Sequence, residues 1–188
     1  MSVEAAPTEA GTARVPATVK VWDPFVRIFH WSLVALFVLA YATGDESERL
    51  HIWSGYAIAG LVALRIAWGL LGPPHARFSD FVRPPREVLQ HLRDTARGAA
   101  RRHLGHNPAG GAMVVALLTM LAGTCASGYL LTTDVLWQAK WVEEVHEAFA
   151  NITVALIIVH VLGVLVACYE QRENLVAAMF TGRKRPIA

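Results

Sequence analysis

Charge is what this chain has least of. Only 17% of its 188 residues are charged, against 54% hydrophobic, and a soluble domain of this size carries more charge. An ordinary water-soluble globule is thereby excluded. Cysteine is nearly as scarce. Cys125 and Cys168 lie far apart with no Cys-x-x-Cys, which excludes a zinc knuckle and thioether attachment of a cofactor and leaves two small buried hydrophobes. There is no internal repeat, no flavin or nucleotide motif, and no large extramembrane catalytic domain. No cleavable signal peptide is expected, since residues 1–19 are rich in Ala, Thr, Pro and Glu without an apolar core. They read as a disordered cytoplasmic tail.

What the chain does have is long apolar runs. Four of them, about 25–43, 51–71, 109–131 and 146–169, reach the roughly 20 residues a membrane span needs. The expected fold is an all-α membrane protein, one four-transmembrane-helix bundle over about 20–180. Positive charge alternates along it. Arg14, Lys20 and Arg27 precede or open the first span, and the 72–108 connection carries Arg77, Arg83, Arg86, Arg93, Arg97, Arg101 and Arg102. The C-terminus ends with Arg172, Arg183, Lys184 and Arg185. The connections after spans one and three are acidic. The positive-inside rule puts both termini and the 72–108 loop in the cytoplasm, an even crossing number that agrees with four spans. Within that loop, Pro84-Pro85 opens a helix over Arg86–Ala100. Val88, Leu89, Leu92, Ala96 and Ala99 share one side and arginines the other, an amphipathic helix for the inner membrane surface. Docking of a cytoplasmic partner is the alternative. His75, His91, His103 and His106 in this loop read as solvated surface residues.

Four histidines sit in or at the ends of the apolar runs, where imidazole is costly unless paired or ligating. His30 lies just inside the cytoplasmic end of span one. His51 and His146 open spans two and four at the outer face. His160 is fourteen residues beyond His146, about 21 Å deeper and close to four full turns on, so the two face nearly the same way. Depth therefore pairs His51 with His146 near the outer surface and His30 with His160 nearer the cytoplasm. Each pair could clamp one haem iron from both sides, and saturated iron favours electron transfer over oxygen binding. Zinc or copper is disfavoured, because the pairs are too far apart to share an ion and two ligands hold one poorly. A histidine proton relay stays open.

Other residues suit a large flat cofactor. Gly55 clears space one turn from His51, and span three offers Gly110, Gly111, Gly123 and Gly128, which equally suit helix packing. Arg27 and Arg65 either snorkel to headgroups or meet haem propionates at the inner site. Trp22, Trp31, Trp53, Trp68, Trp137 and Trp141 fall mostly near span ends, as an interfacial belt does. Trp53, Trp141, Glu144 and Glu147 are candidates for an outer quinone pocket, with interfacial anchoring as the alternative. A carboxylate such as Glu147 could take a quinol proton.

Several stretches together resemble the prokaryotic cytochrome b561 family, in its branch related to the cytochrome b subunit of nickel–iron hydrogenases. They are Val21-Trp22-Asp23 through Arg27-Ile28-Phe29-His30-Trp31, His51-Ile52-Trp53-Ser54-Gly55-Tyr56, Arg65-Ile66-Ala67-Trp68-Gly69, His106-Asn107-Pro108-Ala109-Gly110-Gly111, and Val145-His146-Glu147 with His160. The resemblance implies four spans and two b-type haems ligated by His30, His51, His146 and His160. It also implies electron exchange with the quinone pool or a redox partner subunit.

The expected function is transmembrane electron transfer by a di-haem b cytochrome of the bacterial inner membrane, between quinone and a dehydrogenase, hydrogenase or c-type cytochrome partner. A stand-alone oxidoreductase, such as a superoxide:quinone oxidoreductase, is one alternative. A haem-free protein handling protons or metal ions is another, opposed by the shortage of membrane carboxylates. The lipid bilayer is the surrounding partner, a homodimer through the spans is plausible, and no nucleic-acid partner is expected.

Overall fold

The computed structural model describes residues 18–186 apart from Gln138. Residues 1–17, most of the expected tail, lie outside the described residues. Four long helices carry the fold: α1 (Pro24–Thr43), α2 (Glu48–Leu71), α5 (Pro108–Leu131) and α6 (Lys140–Gln171). Each is long and apolar enough to cross a membrane, with mean hydropathy of 1.8, 1.5, 1.8 and 2.6. Shorter elements join them: β1 (Val19–Lys20), α3 (Phe78–Phe81), α4 (Pro85–Ala96), α7 (Leu175–Thr181) and β2 (Arg183–Lys184).

Local chemistry sets the starts of two spans. The Asp23 carboxylate accepts from Val26 N at 3.0 Å, and Pro24 occupies the first turn of α1. At α5, Asn107 accepts from Gly110 N at 2.6 Å ahead of Pro108. Both are capping side chains followed by a proline that loses no helical hydrogen bond. The fourth span begins earlier than its apolar run, at Lys140 rather than about 146, because Trp141, Glu143 and Glu144 extend the helix outward. The loop helix ends earlier than Ala100. Its chain turns off at Arg97, and Gly98 takes φ +67°, where glycine carries no side-chain penalty.

The spans pack in sequence, α1 on α2, α2 on α5 and α5 on α6. The core lies among the first three, with Phe29, Ala40, Ile58, Val62, Leu118 and Leu121 buried together. Along α6 only Val142 and Thr153 are buried. It lies along α5 and makes at most slight contact with α1 and α2. Much of its apolar surface therefore faces outward, as lipid contact requires, or toward the space shared with α1 and α2.

One end of the bundle is tied by a ribbon. β1 pairs antiparallel with β2, Val19 opposite Lys184 and Lys20 opposite Arg183. Arg102 donates to the Pro186 and Arg185 carbonyls at 2.7 and 2.8 Å and pairs with Glu173 at 2.8 Å. Lys184 Nζ donates to His103 O at 3.0 Å. The two described chain ends and the 72–108 connection thus meet on one side, here the ribbon end. Arg185 N donates to Glu173 at 2.6 Å. Burial alone would raise the Glu173 carboxyl, yet its hydrogen bonds from Arg185 and Arg102 hold it below the usual range.

Candidate functional site

The far end, opposite the ribbon, brings His51 and His146 together. Their ring centres stand 5.9 Å apart with planes at 81°. His51 Nδ1 lies 2.9 Å from Ala40 O on α1. His146 Nδ1 lies 3.0 Å from Thr124 O and 3.2 Å from Ser127 Oγ on α5. A carbonyl can only accept, so Nδ1 of each ring carries the hydrogen. Each Nε2 is then left with its lone pair free, the arrangement that prepares imidazole to ligate metal. Two metal–imidazole bonds of about 2 Å each would set ring centres about 6 Å apart, close to the spacing found. Space is available beside them: a Cβ on Gly55 would meet nothing within 4 Å, whereas one on Gly128 would fall 2.9 Å from His146 Cε1. Gly55 is thus a place of open room, and Gly128 is where α5 makes way for the imidazole.

At the other level His160 lies within electrostatic reach of His30. His30 stands edge-on to Trp31 at 4.9 Å, and its Nδ1 is sealed from solvent without a partner. Several other sealed donors lack partners in this half of the protein, among them Arg27 Nε, Trp31 Nε1, Arg65 Nη1 and His106 Nδ1. Arg65 is only 2% exposed, with its guanidinium 5.4 Å from the Phe78 ring centre. Such burial sets aside the snorkelling alternative for this residue. α3 reaches this place because Gly69 and Gly111 leave notches for it. A Cβ on either would overlap Phe78 or Phe81.

His106 and His91 correct the expectation of solvated loop histidines. His106 lies between Trp22 and Phe81, each ring centre 4.7 Å away. Burial, with the nearby Arg65 charge, pushes it down to about 3, so it is neutral at physiological pH. His91 is 9% exposed and faces His103 at 5.5 Å. Burial lowers it too. The apolar side expected for the loop helix divides: Val88 turns partly inward near His91, while Leu89 and Leu92 are exposed. At the far end, Trp53, Trp141, Glu144 and Glu147 are all exposed.

The carbonyl partners at Ala40 and Thr124 were beyond sequence reasoning, because every residue has a carbonyl. His106 had a usable signal. It immediately precedes the Asn107-Pro108 cap, and thus stands at the mouth of a span rather than in open loop. Among the described residues no three His, Cys, Asp or Glu side chains gather as a metal-ion site. The donor set instead fits a flat metal-bearing cofactor held by paired imidazoles, with unpaired donors available for its acidic substituents.

A family model described as prokaryotic cytochrome b561 matches residues 21–182, nearly the whole chain. No curated protein gave a match.

Proposed function

The chain belongs to the prokaryotic cytochrome b561 family, and from that premise we propose that it is a di-haem member exchanging electrons between quinone and a redox partner. The coarser facts follow from membership and the four apolar helices: it is a multi-pass prokaryotic membrane protein, a b-type cytochrome, and an electron carrier. In the proposal, His51 and His146 hold one haem at the far end, and His30 and His160 hold the other nearer the ribbon. Bound haem b supplies reversible one-electron chemistry, and two imidazoles per iron close it to other ligands.

The observation that carries this reading is the pair of Nδ1–H donors locked on carbonyls. Ala40 O orients His51 and Thr124 O orients His146. Both rings are thus held in one tautomer and one direction by backbone carbonyls of neighbouring helices. Such support raises ligand basicity and limits reorganisation. The sealed, unpartnered donors at Arg27, Trp31 and Arg65 support propionate contacts at the other level.

Orientation follows from charge. The ribbon end carries the arginine-rich 72–108 connection, so we place it in the cytoplasm and the chain in the inner membrane. α4 then lies on the inner surface, with Leu89 and Leu92 exposed toward lipid and Arg86 and Arg93 beside them for headgroups. A dithionite-reduced minus air-oxidised spectrum with a pyridine haemochromogen assay tests the proposal. Sharp b-type bands with about two haems per chain are expected. One haem per chain would refute the di-haem reading.

A further inference from the structure

We propose that His106 and Arg65 together hold one carboxylate of the haem at the His30–His160 level, with His106 as a positioning residue for that cofactor. The inference rests on the di-haem reading and adds a residue from outside the spans to the site.

The argument starts from Arg65. A guanidinium buried to 2% exposure needs an anion, because an uncompensated buried charge costs several kcal/mol. Among the described residues Arg65 makes no ion pair, and its Nη1 has no hydrogen-bond partner. Asp23 is within electrostatic reach but forms no hydrogen bond or ion pair with Arg65 among the described residues. One of its oxygens caps α1 through Val26 N, and the other accepts from Trp68 Nε1 at 3.4 Å. The Phe78 face at 5.4 Å supplies a quadrupole, not an acceptor.

His106 brings a second sealed, unpartnered nitrogen to the same place. The His106 ring lies 4.7 Å from Phe81, which lies 5.7 Å from Phe78, the ring 5.4 Å from the Arg65 guanidinium, and both Arg65 and His160 are within electrostatic reach of it. Trp22 and Phe81 brace its ring on two sides. Asn107 and Pro108 anchor the following backbone as the start of α5. The imidazole is held tightly, yet its Nδ1 reaches no protein acceptor. A neutral imidazole and a guanidinium cannot satisfy one another here, since no hydrogen bond joins them. Arg65 calls for a group with acceptor oxygens and negative charge, and His106 in its Nδ1–H tautomer donates to the same kind of acceptor. A carboxylate meets both demands, with a charge-assisted bond to Arg65 and a neutral one to His106. Of the chemistry this reading supplies, the carboxylates of the porphyrin are the ones that reach the His160 level.

The test uses full-length protein purified with its haems. The variants are His106→Ala, His106→Gln and Arg65→Gln, with His160→Ala and His51→Ala marking which redox transition belongs to which level. Readouts are haem per chain and a potentiometric titration of both transitions. His106→Ala is expected to lower or remove the His160-dependent transition, with haem content falling toward half, while the His51-dependent transition stays. His106→Gln, which keeps an N–H donor, is expected to restore part of the loss. Arg65→Gln should move the same transition in the same direction. Unchanged haem content and potentials in His106→Ala would overturn the inference. So would equal loss of both haems, or a shift confined to the His51-dependent transition. Wild-type protein without haem would instead overturn the di-haem reading itself.

Discussion

Replacing Arg65 by methionine separates two states of this protein by sign. Without haem, the guanidinium is a buried cation lacking an ion-pair partner among the described residues. Exchanging a buried ion pair for apolar side chains of similar volume is neutral or gains about 1–4 kcal/mol in other proteins, and an unpaired buried cation has no partner to lose. Against this stands the lost contact with the Phe78 ring at 5.4 Å, worth about 0.5–2 kcal/mol. For an exchange that gains, the net expectation runs from about −1 to +3.5 kcal/mol, centred on a gain of about 1 kcal/mol, for the haem-free protein. By the scaling for chains of this length, the central value raises its melting temperature by about 2–4 °C. The haem-loaded protein should move the other way, because the variant removes a charge-assisted bond worth about 1.5–3 kcal/mol. The assay is thermal unfolding in detergent, followed by circular dichroism, of Arg65→Met and wild type with and without haem. A variant that destabilises both forms equally would refute the reasoning, because Arg65 would then already have a partner within the protein.

His51→Ala and His146→Ala are expected to abolish one and the same haem signal, and His30→Ala and His160→Ala the other. Low-temperature spectra check this, and matching spectra for His30 and His146 variants would break the pairing. Gly128→Ala places a Cβ 2.9 Å from His146 Cε1. An imidazole pushed off its rotamer at about 0.5–1.5 kcal/mol should weaken far-end haem affinity roughly 2–13-fold, read by haem transfer to apomyoglobin. The Glu173 carboxyl is lower in the folded protein than its ordinary 4.5, so its stabilisation is present above that value and lost as pH falls below it. The protection factor of the Arg185 amide, its exchange rate relative to the intrinsic rate at each pH, should therefore fall in acid, and Glu173→Gln should remove that pH dependence. Glu147→Gln is expected to slow quinol oxidation severalfold with both haems retained, and unchanged quinol kinetics would remove Glu147 from the quinone site.

Much of the architecture is local and therefore readable in residues. Span three is apolar from Ala109 to Leu131 and is bracketed by Asn107-Pro108, so its start is visible within one residue. The lead-in to span four was harder. Lys140, Glu143 and Glu144 are polar, and a hydropathy run stops short of them although the helix does not. The burial of His106 is hidden in the sequence for a related reason. Composition around it, with Arg101, Arg102 and His103, describes an exposed loop. Its burial comes from Trp22 and Phe81, which are distant in sequence.

The sequence by itself determined the four apolar helices and the position of each histidine along them. Hydropathy and a rise of about 1.5 Å per residue belong to each helix alone. Tertiary structure decided what those histidines meet. α6 chose α5 as its packing partner, leaving His146 to face His51 across the bundle. Carbonyls of neighbouring helices, Ala40 on α1 and Thr124 on α5, selected the tautomer of each ring. Arg65 was turned inward under Phe78, and the two described chain ends were tied into one ribbon. Each of these depends on which donor finds which acceptor between segments far apart in the chain, and no periodicity or composition encodes that choice.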